Sequence, residues 1–175
     1  MELSPTAYVI LGMLSWRPMS GYDMKSLADN STRFFWAISY GQIYPELRRL
    51  SEAGLVEAAE AEGGRRRTAY RLTAKGREAL RGWLAEPPET FETRDEGLLK
   101  LFFASADPAS AAGALRGKRE FHARKLEELR AIEATGNPEG FALGVLRHGI
   151  EMSEWTVGWC DRAIAELGKS NKEAT

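Results

Sequence analysis

Residues 39–73, SYGQIYPELRRLSEAGLVEAAEAEGGRRRTAYRLT, decide the fold that this sequence predicts. Ser39, followed three positions later by Gln42, forms a capping-box pattern that marks the start of a helix. Apolar residues then recur at spacings of four and three from Ile43 to Leu50, and Gly54 is suited to end the helix. The stretch therefore begins with one short amphipathic helix.

A strand–turn–strand pattern follows that helix. Residues 55–61 predict one strand, and the alternation of residues 68–72 predicts a second. Gly63 and Gly64 between them permit a tight turn, so the two strands are expected to pair as a β-hairpin. Three arginines, residues 65–67, stand near its tip. A helix that fits a DNA groove beside a basic hairpin predicts a winged helix-turn-helix.

The chain before this stretch predicts two supporting helices. Ser4 and Pro5 suit a helix start, because serine caps free amides and proline at the first helical position loses no hydrogen bond. Ser20 with Asp23 predicts a second start of the capping-box type. Three consecutive aromatic residues, 34–36, lie in the connector that follows. We expect them to fill the corner between the first three helices, with a ligand site as the alternative.

Composition places the chain among ordinary globular proteins. It has 175 residues, of which 43% are hydrophobic and 28% charged, with a net charge of −1. That charge gives no global argument for nucleic acid, so binding to a polyanion has to rely on a local basic patch. A single cysteine, Cys160, excludes an internal disulfide framework. Neither a signal peptide nor a membrane span is recognisable, and a cytoplasmic protein is the expectation.

The sequence EPPE at residues 86–89 is the clearest break in the chain. We expect a winged helix-turn-helix domain over residues 1–86 and a helical dimerisation or effector domain over residues 90–170. A flexible tail is expected at residues 171–175. The predicted fold class is mostly α, with a small β-hairpin wing.

The last predicted helix, about residues 139–167, carries two apolar stripes. The first follows alternating spacings of three and four, as in a heptad seam, and includes Leu143, Leu146, Ile150, Ser153, Val157, Cys160, Ile164 and Leu167. The second includes Phe141, Val145, His148, Met152, Trp155 and Trp159. A small domain has too few helices to cover both stripes, so a two-fold homodimer is predicted.

The two stripes suggest different roles. The predicted dimer interface consists of Leu143, Leu146, Ile150, Val157, Ile164 and Leu167. A predicted effector pocket consists of Phe141, Met152, Trp155 and Trp159, with ordinary dimer core as the alternative interpretation. The sequence does not decide which stripe faces the partner chain.

Catalysis finds little support in the sequence. The two histidines, His122 and His148, are far apart and belong to no metal-binding spacing, and Cys160 has no near partner. No phosphate-binding glycine loop is present, because Gly63 and Gly64 are not followed by a lysine and a hydroxyl in the required order. We therefore predict no enzyme activity, no metal and no cofactor.

DNA binding has a coherent physical basis in the predicted third helix and the hairpin. An α-helix fits the major groove, where Gln42 suits adenine and arginines suit guanine or phosphate. As an alternative, Arg48 and Arg49 form a solvated face paired with Glu46 or Glu52. The residues expected to contact DNA are Lys25, Ser39, Tyr40, Gln42, Tyr44, Arg48, Arg49, Arg65, Arg66 and Arg67.

Several segments resemble the PadR family of bacterial transcriptional regulators. They are LGMLSWRPMSGYDM at 11–24, FFW at 34–36, GQIYPELRRLSEAGLVE at 41–57 and YRLTAKGREAL at 70–80. The resemblance is dense over residues 5–84. It also accounts for Pro45 inside the predicted third helix, since a Tyr-Pro pair in that helix is usual in this family. The second half resembles the longer helical region of one subgroup in length and pattern.

The resemblance implies a homodimeric repressor that regulates transcription. Its two winged domains would bind a palindromic double-stranded operator, and a small hydrophobic or phenolic effector would release it. The alternative from another class is a protein–protein adaptor that uses the winged-helix fold without sequence-specific DNA binding. In that alternative the arginines only solubilise the surface.

Overall fold

A computed structural model describes residues 3–59, 68–89 and 94–173, with the backbone alone for residues 108–109 and 169–173. The chain divides into two compact units, Met1–Thr90 and Phe91–Thr175. No helix in the described ranges is long and apolar enough to cross a membrane. The elements of the first unit are α1 (Pro5–Trp16), β1 (Met19–Ser20), α2 (Gly21–Asp29), α3 (Tyr40–Glu52), β2 (Val56–Ala59), β3 (Ala69–Leu72) and α4 (Ala74–Ala85).

The predicted helix starts in the first unit are confirmed. The side chain of Ser4 accepts a hydrogen bond from the amide of Ala7 at 3.1 Å. Ser20 and Asp23 form a reciprocal capping box at the start of α2, with backbone-to-side-chain distances of 3.0 and 3.3 Å. Each cap satisfies amides that have no partner inside the helix, so these starts follow from local sequence.

The strands form a three-stranded antiparallel sheet in the order β1–β3–β2. Val56 pairs with Leu72 and Ala59 with Ala69, which is the predicted hairpin pairing. The two-residue strand β1 is the third strand of the sheet and pairs with β3, with Met19 opposite Tyr70, and the sequence pattern did not indicate it. Residues 60–67, which include Gly63 and Gly64, lie outside the described residues.

The core of the first unit joins α1, α2, α3 and the sheet. Its fully buried members include Ile10, Leu11, Met24, Ile43, Leu47 and Leu50. The expectation for the aromatic connector was wrong for two of its three residues, because Phe35 is 63% exposed and Trp36 is 45% exposed, whereas Phe34 is half-buried. Ile38, at 5% exposure, belongs to this core instead. The rings of Phe35 and Trp36 therefore remain on the surface between α2 and α3.

The second unit is built mainly from three helices. They are α5 (Glu96–Phe102), α6 (Pro108–Ala134) and α7 (Gly140–Glu173). Ion pairs between α6 and α7, Arg130–Glu154 at 2.6 Å and Arg147–Glu133 at 3.0 Å, require the two helices to run antiparallel. Helix α7 includes the first three residues of the tail predicted at 171–175.

The residues of the predicted dimer interface differ in how far their own chain covers them. Leu146 and Ile150 of the heptad seam are only 9% and 8% exposed within the single chain, and Ser153 and Cys160 are fully buried. Gly149 lies on the same side of α7, and a Cβ added to it would stand 3.2 Å from the side chain of Leu129 in α6. The seam therefore packs against the chain's own helix. The rest of the predicted interface, Leu143, Val157, Ile164 and Leu167, is half-buried along the same seam.

The second stripe of α7 is the exposed one. Phe141 is 98% exposed, Trp155 59%, Met152 50% and Val145 49%. We call these four residues, together with Trp159, the α7 apolar face. Apolar side chains are thus exposed in a row along one helix, unlike the scattered apolar residues of an ordinary surface.

Candidate nucleic-acid interface

Helix α3 has one buried and one exposed side. Ile43, Leu47 and Leu50 are 0%, 1% and 0% exposed, and they anchor the helix to the core. The predicted contact residues of this segment all lie on the exposed side: Ser39, Tyr40, Gln42, Tyr44, Arg48 and Arg49. The helix therefore presents a continuous polar and aromatic surface.

The side chain of Gln42 is occupied by the helix cap. Its Oε1 accepts hydrogen bonds from the amide of Ser39 at 2.9 Å and from the hydroxyl of Ser39 at 3.0 Å. A bidentate contact with adenine needs that same oxygen as an acceptor. In this conformation Gln42 offers only its amide N–H donors to DNA, and Ser39 is engaged in the same cap.

The two arginines of α3 differ in their surroundings. Arg49 lies 3.6 Å from the carboxylate of Glu46, which agrees with part of the alternative interpretation. At 45% side-chain exposure its guanidinium still reaches the surface, whereas the side chain of Glu46 is only 13% exposed. Arg48 is exposed on the same side. Both cations remain accessible to a phosphate or a base edge.

Lys25 of α2 is less available than the sequence suggested. Its ammonium forms an ion pair with Asp29 and lies 5.8 Å from the ring centroid of Tyr40. The side chain is only 19% exposed. Lys25 thus contributes positive charge beside α3 while being held by two neighbours.

The structure adds Tyr22 to this surface. Its ring lies 6.4 Å from that of Tyr40 and is 46% exposed. The sequence indicated Tyr22 only as part of a family motif and did not predict it as a contact residue. The available signal was its position at the start of the helix that packs on α3.

The wing is partly beyond the described residues. Ala59 pairs with Ala69 at the last described step of the hairpin, and Arg71 binds Glu57 across the strands at 2.9 Å. Arg65, Arg66 and Arg67 fall in the connection between these strands, outside the described ranges. Their predicted DNA contacts remain a prediction.

The residues of the predicted effector pocket lie on the α7 apolar face. Trp155 and Trp159 are near-parallel, with ring centroids 6.3 Å apart and planes 13° apart. Met152 is half exposed, and Phe141 is almost wholly exposed. These residues form an open surface of one helix within a single chain.

The second unit also has a cleft between α5 and α6, whose lining mixes apolar and charged side chains. Its lining includes Leu99, Phe103, Gly113, Gly117, Lys118, Phe121 and His122, and we call it the α5–α6 cleft. Gly113 and Gly117 border open space, because an added Cβ would meet nothing within 4 Å at either position. Leu99, Phe103 and Phe121 are exposed along it.

The polar groups of the cleft shift each other's protonation. Burial tends to raise the pKa of Asp95, but hydrogen bonds from Lys118 and from backbone amides outweigh it, so the pKa is lowered. Burial lowers the pKa of His122, and the cations Lys118 and Lys125 lower it further. The Nδ1 atom of His122 is buried with no hydrogen-bond partner. A neutral imidazole therefore lies at one end of the cleft.

A metal site requires several ligand side chains close together. Within the described ranges no group of three or more histidine, cysteine or carboxylate side chains could hold a metal ion. The exposed side of α3 places aromatic rings and cations next to the hairpin, and these groups are the candidate DNA contacts.

A three-helix core with an exposed third helix and an antiparallel hairpin defines a winged helix-turn-helix protein, here followed by a helical unit. Residues 10–82 match the model of the "Transcriptional regulator PadR-like family". Residues 93–168 match the model "Virulence activator alpha C-term". The chain belongs to the PadR-like family of transcriptional regulators, as the sequence resemblance implied.

Two bacterial relatives extend over nearly the whole chain. The negative transcriptional regulator PadR of Bacillus subtilis is 28% identical over 93% of this chain and 97% of its own. Its crystal structure with operator DNA has a TM-score of 0.82 at 27% identity, covering 92% of this chain and 98% of that one. Its complex with p-coumaric acid has a TM-score of 0.79 at 25% identity, covering 95% and 99%.

The Vibrio cholerae virulence activator AphA is the second relative. Its structure has a TM-score of 0.75 at 29% identity and covers 94% of this chain and 99% of that one. The two relatives carry opposite descriptions, a negative regulator and an activator, on one architecture. The predicted fold class, mostly helical with a small sheet in the first unit, is confirmed.

Proposed function

We propose that this chain is a homodimeric repressor that binds a palindromic operator and is released by a small hydrophobic or phenolic effector. The observation that carries this proposal is the exposed side of α3. It presents Tyr40, Tyr44, Arg48 and Arg49 beside the hairpin, while its opposite side is fully buried. The B. subtilis relative crystallised with operator DNA supports the same use of this fold.

Dimerisation follows from the α7 apolar face. Its side chains are left largely uncovered by their own unit, and a two-fold copy would bury the same face on both chains. We assign the dimer contact to this face, and the predicted pocket residues are then part of the interface. Two α3 helices on such a dimer would meet half-sites about 34 Å apart, one DNA turn.

The effector is proposed to bind the α5–α6 cleft. The cleft combines aromatic side chains with the cation Lys118 and a neutral His122, which suits a small planar acid, whereas the residues of the α7 apolar face carry no charged group. The p-coumaric acid complex of the B. subtilis relative supports a phenolic acid as the first probe. Calorimetry with p-coumaric acid should give binding that Phe121→Ala removes and Trp155→Ala retains. The reverse result would assign the effector to the α7 apolar face.

Regulatory rather than enzymatic activity and a cytoplasmic location complete the proposal. The curated relatives are transcriptional regulators. A further candidate, an adaptor that binds only protein, uses the same exposed surface without DNA. Preference for one DNA sequence over another distinguishes the two candidates.

The test is binding of the full chain to the DNA upstream of its own gene, compared with random duplex of equal length, over a series of salt concentrations. We expect tighter binding to the upstream DNA, with affinity falling as salt rises. Replacing Arg65, Arg66 and Arg67 by alanine should flatten that slope by up to about 0.9 for each phosphate that is no longer neutralised. Equal affinity for both duplexes would support the adaptor.

A further inference from the structure

Three tyrosines form a row of near-parallel rings on the surface of the first unit. The centroids of Tyr22 and Tyr40 are 6.4 Å apart with planes at 21°, and those of Tyr40 and Tyr44 are 6.2 Å apart at 17°. Their exposed fractions are similar, at 46%, 42% and 51%. We call these three residues the tyrosine row. It joins α2 to the exposed side of α3.

Gly21, the buried first residue of α2, lies directly against one end of this row. A Cβ added at position 21 would stand 2.8 Å from Cε1 and 3.1 Å from Cζ of Tyr44. It would also stand 3.3 Å from Cγ2 of Ile43. Separations under 3.0 Å essentially never occur for a real Cβ, so something must move.

The group that moves is the tyrosine ring. Ile43 is 0% exposed within the core, whereas Tyr44 is half exposed and its contacting atoms are at the far end of the side chain. A methyl group at position 21 would therefore turn the ring of Tyr44 into solvent, whereas Ile43 would have to give by only a few tenths of an ångström. The absent side chain of Gly21 thus fixes where the tyrosine row ends.

We propose that Gly21 is a positioning residue for operator recognition, and that Tyr22, Tyr40 and Tyr44 contact the DNA as one preorganised surface. The inference rests on the proposed function, because it requires α3 to face DNA. Tyrosine side chains have few rotatable bonds, and rings fixed before binding lose little conformational entropy in the complex. Their hydroxyls bond base edges, and their rings contact the methyl group of thymine.

Lys25 supports the middle of the row. Its ammonium lies 5.8 Å from the centroid of Tyr40 and is held there by Asp29. Because a cation is attracted to the face of an aromatic ring, this contact favours the observed orientation of Tyr40. Helix α2 therefore contributes Tyr22 at one end of the row, contacts the ring in the middle through Lys25, and leaves space for the ring at the other end through Gly21.

The main test is Gly21→Ala in the full chain, measured on the upstream operator and on random duplex. We expect about a tenfold loss of operator affinity, in the range that removal of one base-edge contact produces, with binding to random DNA unchanged. The midpoint of thermal unfolding should stay the same or rise, because alanine is a better helix residue than glycine. Unchanged operator affinity would overturn the proposal.

The matched control is Gly12→Ala in α1. An added Cβ there meets nothing within 4 Å, so the change is the same substitution in a helix without a displaced neighbour. Its operator affinity should equal that of the wild type. A comparable loss in this control would assign the effect of Gly21→Ala to the backbone and overturn the role of Tyr44.

A double-mutant cycle tests whether Gly21 acts through the ring. In a Tyr44→Ala background, Gly21→Ala should cause no further loss of operator affinity, because its target has been removed. A full additional loss in that background would contradict the proposal. If Gly21→Ala lowers the unfolding midpoint, Tyr22→Ala tests the row independently, and operator affinity equal to the wild type would then overturn it.

Failure of the proposed function has a different signature. A wild-type chain with equal affinity for upstream and random DNA refutes operator recognition before any variant is compared. A wild-type chain that prefers the operator, combined with unaffected variants, refutes only the role of Gly21 and the tyrosine row.

Discussion

Helices α3 and α7 are built on the same plan and differ in what they leave exposed. Each buries one apolar stripe inside its own unit: Ile43 to Leu50 in α3, and Leu146 to Cys160 in α7. The exposed side of α3 carries tyrosine hydroxyls and guanidinium groups. The exposed side of α7 carries Phe141 and Trp155. The buried stripe holds each helix in place, whereas the exposed side indicates the kind of partner.

The chemistry of the two exposed sides sets opposite dependences on salt. Cations that neutralise phosphates release counterions, so binding through α3 and the wing should weaken as salt rises. Burial of apolar area releases no counterions, and kosmotropic salts strengthen the association of apolar surfaces. Salt titrations of DNA binding and of self-association are therefore a direct way to separate the two surfaces.

The largest expected effect is common to both helices. Leu47→Ala in α3 and Ile150→Ala in α7 should each lower the free energy of unfolding by about 2–5 kcal/mol, because each leaves a cavity in a packed seam. Denaturant unfolding followed by circular dichroism measures this. Glu151→Ala on the exposed side of α7 is the control, with an expected change within about 0.5 kcal/mol. Equal losses in all three variants would contradict the plan of one buried and one exposed side.

The next effect belongs to α7 alone. Trp155→Ala should weaken self-association by about 2 kcal/mol, because a large aromatic side chain at the centre of an interface is a typical hot spot. Sedimentation equilibrium over a concentration series measures the dissociation constant. Stability within the unit should change little, since Trp155 is 59% exposed. An unchanged dissociation constant would remove this face from the dimer contact.

The corresponding effect on α3 concerns DNA. Arg49→Ala should reduce operator affinity by about 1–3 kcal/mol if the guanidinium contacts a base edge, with little change on random duplex. Fluorescence anisotropy on both duplexes measures the difference. Equal losses on the two duplexes would reassign Arg49 to a phosphate contact. Dimerisation should remain unaffected, which keeps the two helices separable.

The smallest effect concerns pH and the helical unit. In the folded chain the pKa of His122 is lowered by burial and by Lys118. As the pH falls below about 6.5, the imidazole is therefore protonated in the unfolded chain before it is protonated in the folded chain. Stability should therefore decline below that pH and level off below the folded-state pKa. Unfolding at a series of pH values should show a shallower decline in His122→Gln. If the free energy of unfolding fell equally with pH in the wild type and in His122→Gln, His122 would be excluded as the cause of the decline.

Short-range patterns predicted the first unit well. The pair Ser20 and Asp23 and the pair Ser39 and Gln42 are three residues apart, so capping chemistry could be read directly. The strand β1 was missed because its pairing partner, Tyr70, is distant in sequence and two residues carry no alternation to detect. The role of Tyr22 was missed for a similar reason, since it depends on the ring that Tyr22 approaches on another helix.

The sequence also overestimated the freedom of one contact residue. Gln42 suits both a capping box and an adenine contact, and only the structure indicates that its oxygen is already used by Ser39. One side-chain oxygen has a limited number of acceptor sites, so the two roles compete. Reading both roles from the sequence counted the same atom twice.

The amino-acid sequence alone was enough to predict the helices, their starts, the hairpin pairing and the family, because these depend on periodicity and on contacts between near neighbours. It also predicted that α7 has one apolar stripe more than a small unit can bury. The identity of that stripe came from the packing of the folded chain: the heptad seam packs on α6, and the α7 apolar face stays largely exposed. Periodicity gives the angle between two stripes on a helix, whereas packing against a distant helix selects the one that is buried.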